Sequence, residues 1–304
     1  MSIRKLVVAN GICYVEIPAA GIYLLCGAPA DSVKHLLRRG IIQTTEVNGV
    51  SFENGPNAIL LSDSMIQNGH LCNLSEFPIL QMLYRQGMLI PNHPNNTGIK
   101  PKLIGTPEQL AAQLRYIHRG NYGLISAEEM MKAGVSEAYA DELMRIKLKF
   151  AFGQIARPEA FVDCHVLAGE PIEIGNGVSI KRLAHNVFDI RHGEEFVEVD
   201  LNLAPRATYP CPYPLSHVAV DRHYFAVIHA GDGDGWDFNR PAMGSVLIHQ
   251  GRVYLIDAGP NIHYSLDALG IGKKEVAGIF HTHAHDDHFA GLTNLLQCDR
   301  PLQY

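Results

Sequence analysis

One short segment carries most of the chemistry of this 304-residue chain: residues 281–292 read HTHAHDDHFAGL and directly follow the apolar run VAGIF at 276–280. Four His and two Asp fall within the first eight positions of that segment. Imidazole and carboxylate groups are the side chains that bind zinc, iron or manganese at neutral pH. Without an ion, so many crowded polar groups would lack partners. The segment therefore predicts a metal site in a loop that leaves a buried strand.

The four candidate ligands are His283, His285, Asp287 and His288, and their spacing indicates which of them bind the same ion. In a loop leaving a strand, His283 and His285 can turn toward one ion, while Asp287 and His288 turn toward another. Two ions about 3.5–4 Å apart would share a water molecule and lower its pKa toward neutrality. We therefore expect a divalent metal centre with two Zn ions, with Fe or Mn as the alternatives.

The residues upstream of this segment agree with a metal site. Residues 245–249 and 253–256 have the pattern of a two-stranded hairpin, which ends in Asp257-Ala258-Gly259. A hairpin ending in Asp-x-Gly, followed by HxHxDH after the next apolar strand, resembles the metallo-β-lactamase superfamily over about residues 220–304. The resemblance implies that Asp257 supports a metal-binding His without touching the metal itself.

One departure from the superfamily pattern affects the site. The resemblance implies a third His, a bridging Asp and a last His that come from later loops. Sixteen residues follow His288, none of them is His, and Asp299 lies too near to serve as the bridge. We therefore expect either that the chain is a fragment of a longer protein, whose further segment completes the metal site, or that another chain, such as a homo-oligomer partner, completes it.

The rest of the chain divides by pattern into two regions. Short apolar runs and capped helices, of which those over residues 106–152 are the most regular, predict a mixed α/β domain of unassigned role over residues 1–160. Val- and Ile-rich alternating segments dominate residues 161–257 and predict strands. The predicted fold class is α/β: this N-terminal domain, then over residues 161–304 a β-rich segment and the first half of a metallo-β-lactamase-like αββα sandwich. The Pro-rich residues 208–214 are the alternative boundary. No internal repeat is visible.

Composition excludes several classes of protein. A net charge of −6 without a basic run argues against a nucleic-acid surface. No apolar run is long enough to span a bilayer. The six Cys show no repeated spacing and no signal peptide is visible, so we expect free thiols and a cytoplasmic location. The expected partner is a small-molecule substrate, with neither nucleic acid nor membrane.

Together these observations predict a metal-dependent hydrolase. A metal-bound hydroxide would attack a phosphodiester, thioester or related ester, and Asp287, the candidate catalytic residue, would orient the nucleophile or accept its proton. Phosphodiesters are the first choice by analogy with the superfamily. One alternative is an iron-dependent redox enzyme of the same superfamily, although its diiron members usually carry Glu where His285 stands. The other is a non-catalytic sensor or binding fragment.

Four smaller features of the sequence have a structural interpretation, and three of them also have a functional one. Residues 231–237, GDGDGWD, form a Gly/Asp turn that borders the site with Trp236 against substrate, or a calcium loop without the closing Glu of an EF-hand. His281 is structural. Asp286 is solvated or supports the metal ligands. Cys26, before a helix, is a buried structural residue or an activated thiol beside an anion site.

Overall fold

The computed structural model describes residues 3–296 and 301–304; Cys298 and Asp299 lie outside the described residues. The strands are β1 (Arg4–Ala9), β2 (Ile12–Ile17), β3 (Ile22–Cys26), β4 (Thr44–Val47), β5 (Val50–Glu53), β6 (Ala58–Leu60), β7 (Ile66–Gln67), β8 (His70–Leu71), β9 (Lys102–Gly105), β10 (Asp163–Val166), β11 (Ile172–Gly175), β12 (Val178–Ala184), β13 (Val187–His192), β14 (Glu195–Asp200), β15 (Phe225–Gly231), β16 (Gly244–His249), β17 (Arg252–Ile256) and β18 (Val276–Phe280).

The helices are mostly short and lie between these strands. They are α1 (Ser32–Arg38), α2 (Glu76–Leu80), α3 (Pro107–Tyr122), α4 (Ala127–Lys132), α5 (Glu137–Phe150), α6 (Ile262–Ala268), α7 (Asp286–Phe289) and α8 (Leu292–Leu296), with a π-helical turn at Gln81–Arg85 and 3-10 turns at Pro158–Ala160 and Lys273–Glu275. The α/β fold class predicted from the sequence is thus confirmed.

The first sheet has the strand order β1-β2-β3-β6-β9-β10. Its first three strands are antiparallel and the others are parallel, and a sheet of this kind is stable when both faces are covered. Alternate residues of β3 and β6 point to opposite faces: Leu25 and Ile59 pack under α1, α2 and α3, whereas Leu24 and Leu60 pack against the sheet β11-β12-β13-β14.

Residues 163–201 pack with the N-terminal sheet. Strand β10 pairs with β9 in parallel, and Val178, Phe188 and Val199 of the second sheet share a core with β2 and β3. The division into residues 1–160 and 161–304 concerns folding units and stays a prediction.

The third sheet, in the order β15-β16-β17-β18, positions the HxHxDH segment. Strands β16 and β17 form the expected hairpin, and β18 adds to β17 in parallel. Val246, Leu255 and Ile279 form a core with α6. Because β18 is buried and ends at Phe280, the polar residues that follow it emerge together at the carboxyl edge of this sheet.

The first and third sheets contain the same arrangement of strands and one helix. We call these two sets of elements the first copy and the second copy. The first copy is β1-β2-β3-α1-β6 and the second is β15-β16-β17-α6-β18; each has three antiparallel strands, then a seven-residue helix and a parallel fourth strand. Both helices end with the same hydrogen bond, from Ile41 N–H to Leu36 O and from Ile271 N–H to Leu266 O. Equivalent residues of the two helices are therefore 230 positions apart.

The same register extends to the strand ends. Gly27 and Asp257 are equivalent, have positive φ angles of 76° and 66°, and donate their N–H groups to the last residues of the parallel strands, Leu60 and Phe280. The repeat is one of backbone topology, and it is not visible as a repeat in the sequence. Backbone N–H and C=O groups, which nearly every residue carries, preserve the register after side-chain similarity is lost.

The two copies touch at equivalent positions. Asp31 and Asn261 directly precede α1 and α6, both are buried, and the Asn261 side-chain amide donates to the Asp31 carboxylate. None of the described helices is both long and apolar enough to cross a membrane. The five Cys within the described ranges are free thiols, as expected.

Candidate metal centre

The four candidate ligands lie together at the end of β18. The ring centroid of His283 is 4.6 Å from that of His285 and 4.2 Å from that of His288. Asp287 is buried, and its Oδ2 lies 3.5 Å from Nε2 of His288. Among the described residues, none forms a hydrogen bond with Asp287 Oδ1. The structure thus brings together three imidazoles and a carboxylate oxygen that has no partner.

Asp257 holds the ring of His288. Its Oδ2 accepts a hydrogen bond from Nδ1 of His288 at 2.8 Å, and its two oxygens also accept from the backbone N–H and hydroxyl of Thr282. Burial raises the pKa of Asp257, but the hydrogen bonds from Thr282 and His288 outweigh it and hold the pKa below its usual value. In the neutral ring, a proton on Nδ1 of His288 leaves a lone pair on its Nε2.

The hydroxyl of Thr282 extends this arrangement to His283. Its Oγ1 lies 2.9 Å from Nδ1 of His283. Because the single hydroxyl proton is donated to Asp257, the oxygen can only accept, and Nδ1 of His283 carries the proton. The Nε2 atom of His283 is therefore also left with a lone pair.

His285 is held from the N-terminal part of the chain. Its Nε2 lies 2.7 Å from the carbonyl oxygen of Gly120, near the end of α3. A carbonyl oxygen can only accept, so Nε2 of His285 carries the proton and Nδ1 has the lone pair. Each of the three imidazoles thus has one nitrogen fixed as a donor and the other available.

This donor set fits a divalent cation in its chemistry. Neutral imidazoles whose second nitrogen is hydrogen-bonded, next to a buried carboxylate, are the groups that bind zinc-like ions. Burial lowers the pKa of His283, aided by the neighbouring His288 and His285, and so favours the neutral form that binds metal. In the described part of the chain, however, the side chains are not arranged so that three or more of His, Cys, Asp or Glu surround a position for a metal ion.

Three residues of the N-terminal part contact the site and were missed by the sequence reasoning. Besides Gly120, the Tyr116 hydroxyl donates to the carbonyl of Ala284 at 2.6 Å, and Glu76 accepts from the backbone N–H of Asp286 at 3.1 Å. Glu76 is fully buried, and burial raises its pKa to about 7. The only sequence signal for Glu76 is a carboxylate in an otherwise apolar helix, which does not reveal its partner.

The two other ionisable side chains of the segment are those of Asp286 and His281. Asp286 is buried at 1% exposure, so the solvated interpretation is wrong, and burial raises its pKa well above the usual value. His281 packs between the rings of Phe289 and Tyr304, at 5.7 and 5.2 Å, in keeping with a structural role.

The Gly/Asp loop is a turn that borders the site. The carboxylates of Asp232 and Asp237 pair with Arg240, so they are engaged by a cation of the protein and not arranged for calcium. The Trp236 ring packs against that of Phe77 in a tilted arrangement with centroids 5.0 Å apart, and the Phe77 ring is 6.3 Å from that of His285. Contact of Trp236 with substrate stays a prediction.

Cys26 is a structural residue. It is fully buried in the first sheet, and burial raises the pKa of its thiol well above the usual value. The activated-thiol interpretation is therefore wrong, since reactivity requires an accessible thiolate.

Comparisons with known proteins agree with the motif over part of the chain. Residues 226–300 match the family model Anti-Pycsar protein Apyc1. The chain is 40% identical over 55 residues to ribonuclease Z of Treponema pallidum (strain Nichols), covering 18% of each protein. It is 43% identical over 60 residues to ribonuclease Z of Clostridium kluyveri, covering 20% of this chain and 19% of the relative.

The aligned stretches thus span about a fifth of the ribonuclease Z relatives. A structural search finds Zn(2+)-bound PqqB from Methylobacterium extorquens at a TM-score of 0.27 and 11% identity, covering 89% of this chain and 56% of PqqB. The family match spans both the hairpin that ends in Asp257 and the HxHxDH segment, and the ribonuclease Z relatives are metallo-β-lactamase-type proteins. Over about residues 220–304, these matches therefore support the resemblance to the metallo-β-lactamase superfamily that the sequence indicates.

Proposed function

We propose that this chain carries the metal centre of a divalent-metal-dependent hydrolase that cleaves a phosphodiester in a small molecule. The observation that supports the proposal is the set of three neighbouring imidazoles, each with one ring nitrogen engaged and the other free, beside the buried carboxylate of Asp287. Such preorganisation of neutral imidazoles has a clear use in metal binding.

The candidate residues would have two roles, metal binding and orientation of the nucleophile. His283 Nε2, His285 Nδ1, His288 Nε2 and Asp287 would hold the cation, with zinc favoured by the imidazole-rich set and iron or manganese as alternatives. When bound, a divalent cation lowers the pKa of a coordinated water and polarises the bond under attack. Asp287 Oδ1, the carboxylate oxygen without a partner, would orient the nucleophile or accept its proton.

Two observations support a small phosphodiester over other esters. The relatives that match 55–60 residues of this chain are named ribonuclease Z, and a ribonuclease cleaves a phosphodiester bond. A net charge of −6 disfavours a long polyanion but tolerates a small one brought to a cation. The substrate we propose is therefore a low-molecular-weight phosphodiester.

The test begins with metal binding by the full chain. Metal-free protein is dialysed against Zn²⁺ or Mn²⁺, metal is quantified by mass spectrometry, and hydrolysis of bis(p-nitrophenyl) phosphate is followed, with a thioester for comparison. We expect bound metal in the wild-type chain and less in His285→Ala and His288→Ala. His217→Ala, at an exposed position outside the site, should match wild type. A wild-type chain that retains neither metal would refute the proposal.

A further inference from the structure

The candidate metal centre is contacted by a part of the chain far away in sequence. Gly120, whose carbonyl accepts from His285 Nε2 at 2.7 Å, is 165 residues from His285. The Glu76 carboxylate approaches the same nitrogen, with Oε1 3.8 Å away. Both elements, α2 and the end of α3, belong to the N-terminal part, so that part helps determine how the His285 ring is held.

Glu76 is a buried carboxylate that lies beside the loop of the candidate ligands. It is 0% exposed, its Oε2 accepts the Asp286 N–H, and its Oε1 has no hydrogen-bond partner among the described residues. Burying a carboxylate is costly unless a polar or positive group faces it. The N–H of His285, polarised further by a cation on the same ring, is such a group.

Gly120 leaves room for this carboxylate. A Cβ atom at residue 120 would lie 1.4 Å from Oε1 of Glu76, so no larger residue fits while Glu76 keeps its position. Tyr116, one turn earlier in α3, donates its hydroxyl to the carbonyl of Ala284 and fixes the backbone next to His285. The end of α3 is thus hydrogen-bonded both to the His285 ring and to the backbone of the loop that carries it.

We propose that Glu76 is a positioning residue that, with the Gly120 carbonyl, holds His285 as the Nε2–H tautomer and so presents Nδ1 to the metal. The inference rests on the proposed function, because it assigns Nδ1 of His285 as a metal ligand. It makes the N-terminal part a contributor to the centre instead of an independent unit. Carboxylates that face the distal N–H of a ligand His commonly raise metal affinity about 10–100-fold.

The first test is a double-mutant cycle of Zn²⁺ affinity, measured by calorimetry on the full chain. We expect Glu76→Gln, which keeps the shape but removes the charge, to weaken Zn²⁺ binding about 10-fold. In a His285→Ala background the same substitution should have no further effect, because Glu76 acts through that ring. Glu108→Gln, on an exposed position of α3, is the control and should bind as wild type does. Equal losses in both backgrounds would overturn the proposal.

The second test needs no metal and no substitution at Glu76. Long-range ¹H–¹⁵N NMR of ¹⁵N-His-labelled, metal-free protein, with His285→Ala to assign the signal, should show His285 as the Nε2–H tautomer. An Nδ1–H tautomer would overturn the inference. If wild type shows Nε2–H but binds no Zn²⁺, the proposed function fails while the contact stands. If wild type binds Zn²⁺ and Glu76→Gln binds it equally well, this inference alone fails.

Discussion

Asp257 adopts a backbone conformation that few side chains tolerate, with φ at 66°. The left-handed region costs an L-residue about 1–2 kcal/mol, less for Asp and Asn than for others. The equivalent residue of the first copy is Gly27, for which a positive φ costs nothing. A strained residue persists where its side chain is needed, and here the side chain binds His288 and Thr282.

We expect Asp257→Asn to bind Zn²⁺ about 10–100-fold more weakly than wild type while unfolding at a similar temperature. Asn accepts the left-handed conformation and can still bond the Thr282 N–H, but it lacks the charge that orients His288. Calorimetry and thermal unfolding measure the two effects. Asp257→Gly is the companion variant: it relaxes the backbone and removes the carboxylate, so wild-type Zn²⁺ affinity in that variant would contradict the role given to Asp257.

The ligand candidates could be identified from the sequence because they lie within six positions, where spacing alone shows that they share a loop. Their supporting residues could not. Glu76 contacts Asp286 across 210 residues, and only the packing of α2 and α3 against the loop brings them together. Asp257 was found because its motif at the end of a strand is itself local.

At the scale of elements, local chemistry predicted α3 well. Thr106-Pro107-Glu108-Gln109 predicts a helix start, and the structure has the full capping box there, with reciprocal bonds between Thr106 and Gln109. Ser136 at the start of α5 has the same sequence preference, yet its side chain makes no cap hydrogen bond. Which caps actually form depends on the approach of the preceding chain, which sequence patterns do not show.

We expect Thr106→Ala to lower the free energy of unfolding by about 1 kcal/mol, because the N–H of Gln109 loses its acceptor. Chemical denaturation followed by circular dichroism measures this change. Ser136→Ala provides the matched comparison and should cost clearly less, because no bond is lost there. A Thr106→Ala protein that is as stable as wild type would show that the cap of α3 is not a source of stability.

At the scale of the whole molecule, the two copies differ at the end of the parallel strand, where the second copy carries the candidate metal ligands. Because Leu60 and Phe280 are equivalent, Asp63 stands where His283 stands in the second copy. The Asp63 carboxylate pairs with Arg182 at 2.8 Å and accepts the N–H of Asn186. The first copy therefore uses this loop to attach the β11–β14 sheet.

We expect Asp63→Asn to leave the metal content of the chain unchanged and to reduce its stability. The substitution removes a partly buried ion pair with Arg182 but touches none of the candidate ligands. Metal analysis by mass spectrometry and urea unfolding would report the two quantities separately. Lower metal content in a folded Asp63→Asn protein would place a second centre in the first copy and contradict the assignment of a single one.

The bond between Asn261 and Asp31 has a consequence for the relation between the two copies. A side chain that meets its own counterpart lies on the axis of a closed pair with two-fold symmetry, as in an isologous dimer. At this contact the two copies thus meet within one chain as the subunits of an isologous dimer meet on their axis. Two copies in one chain need not have the same residues at equivalent positions, and here Asp63 follows one parallel strand where His283 follows the other.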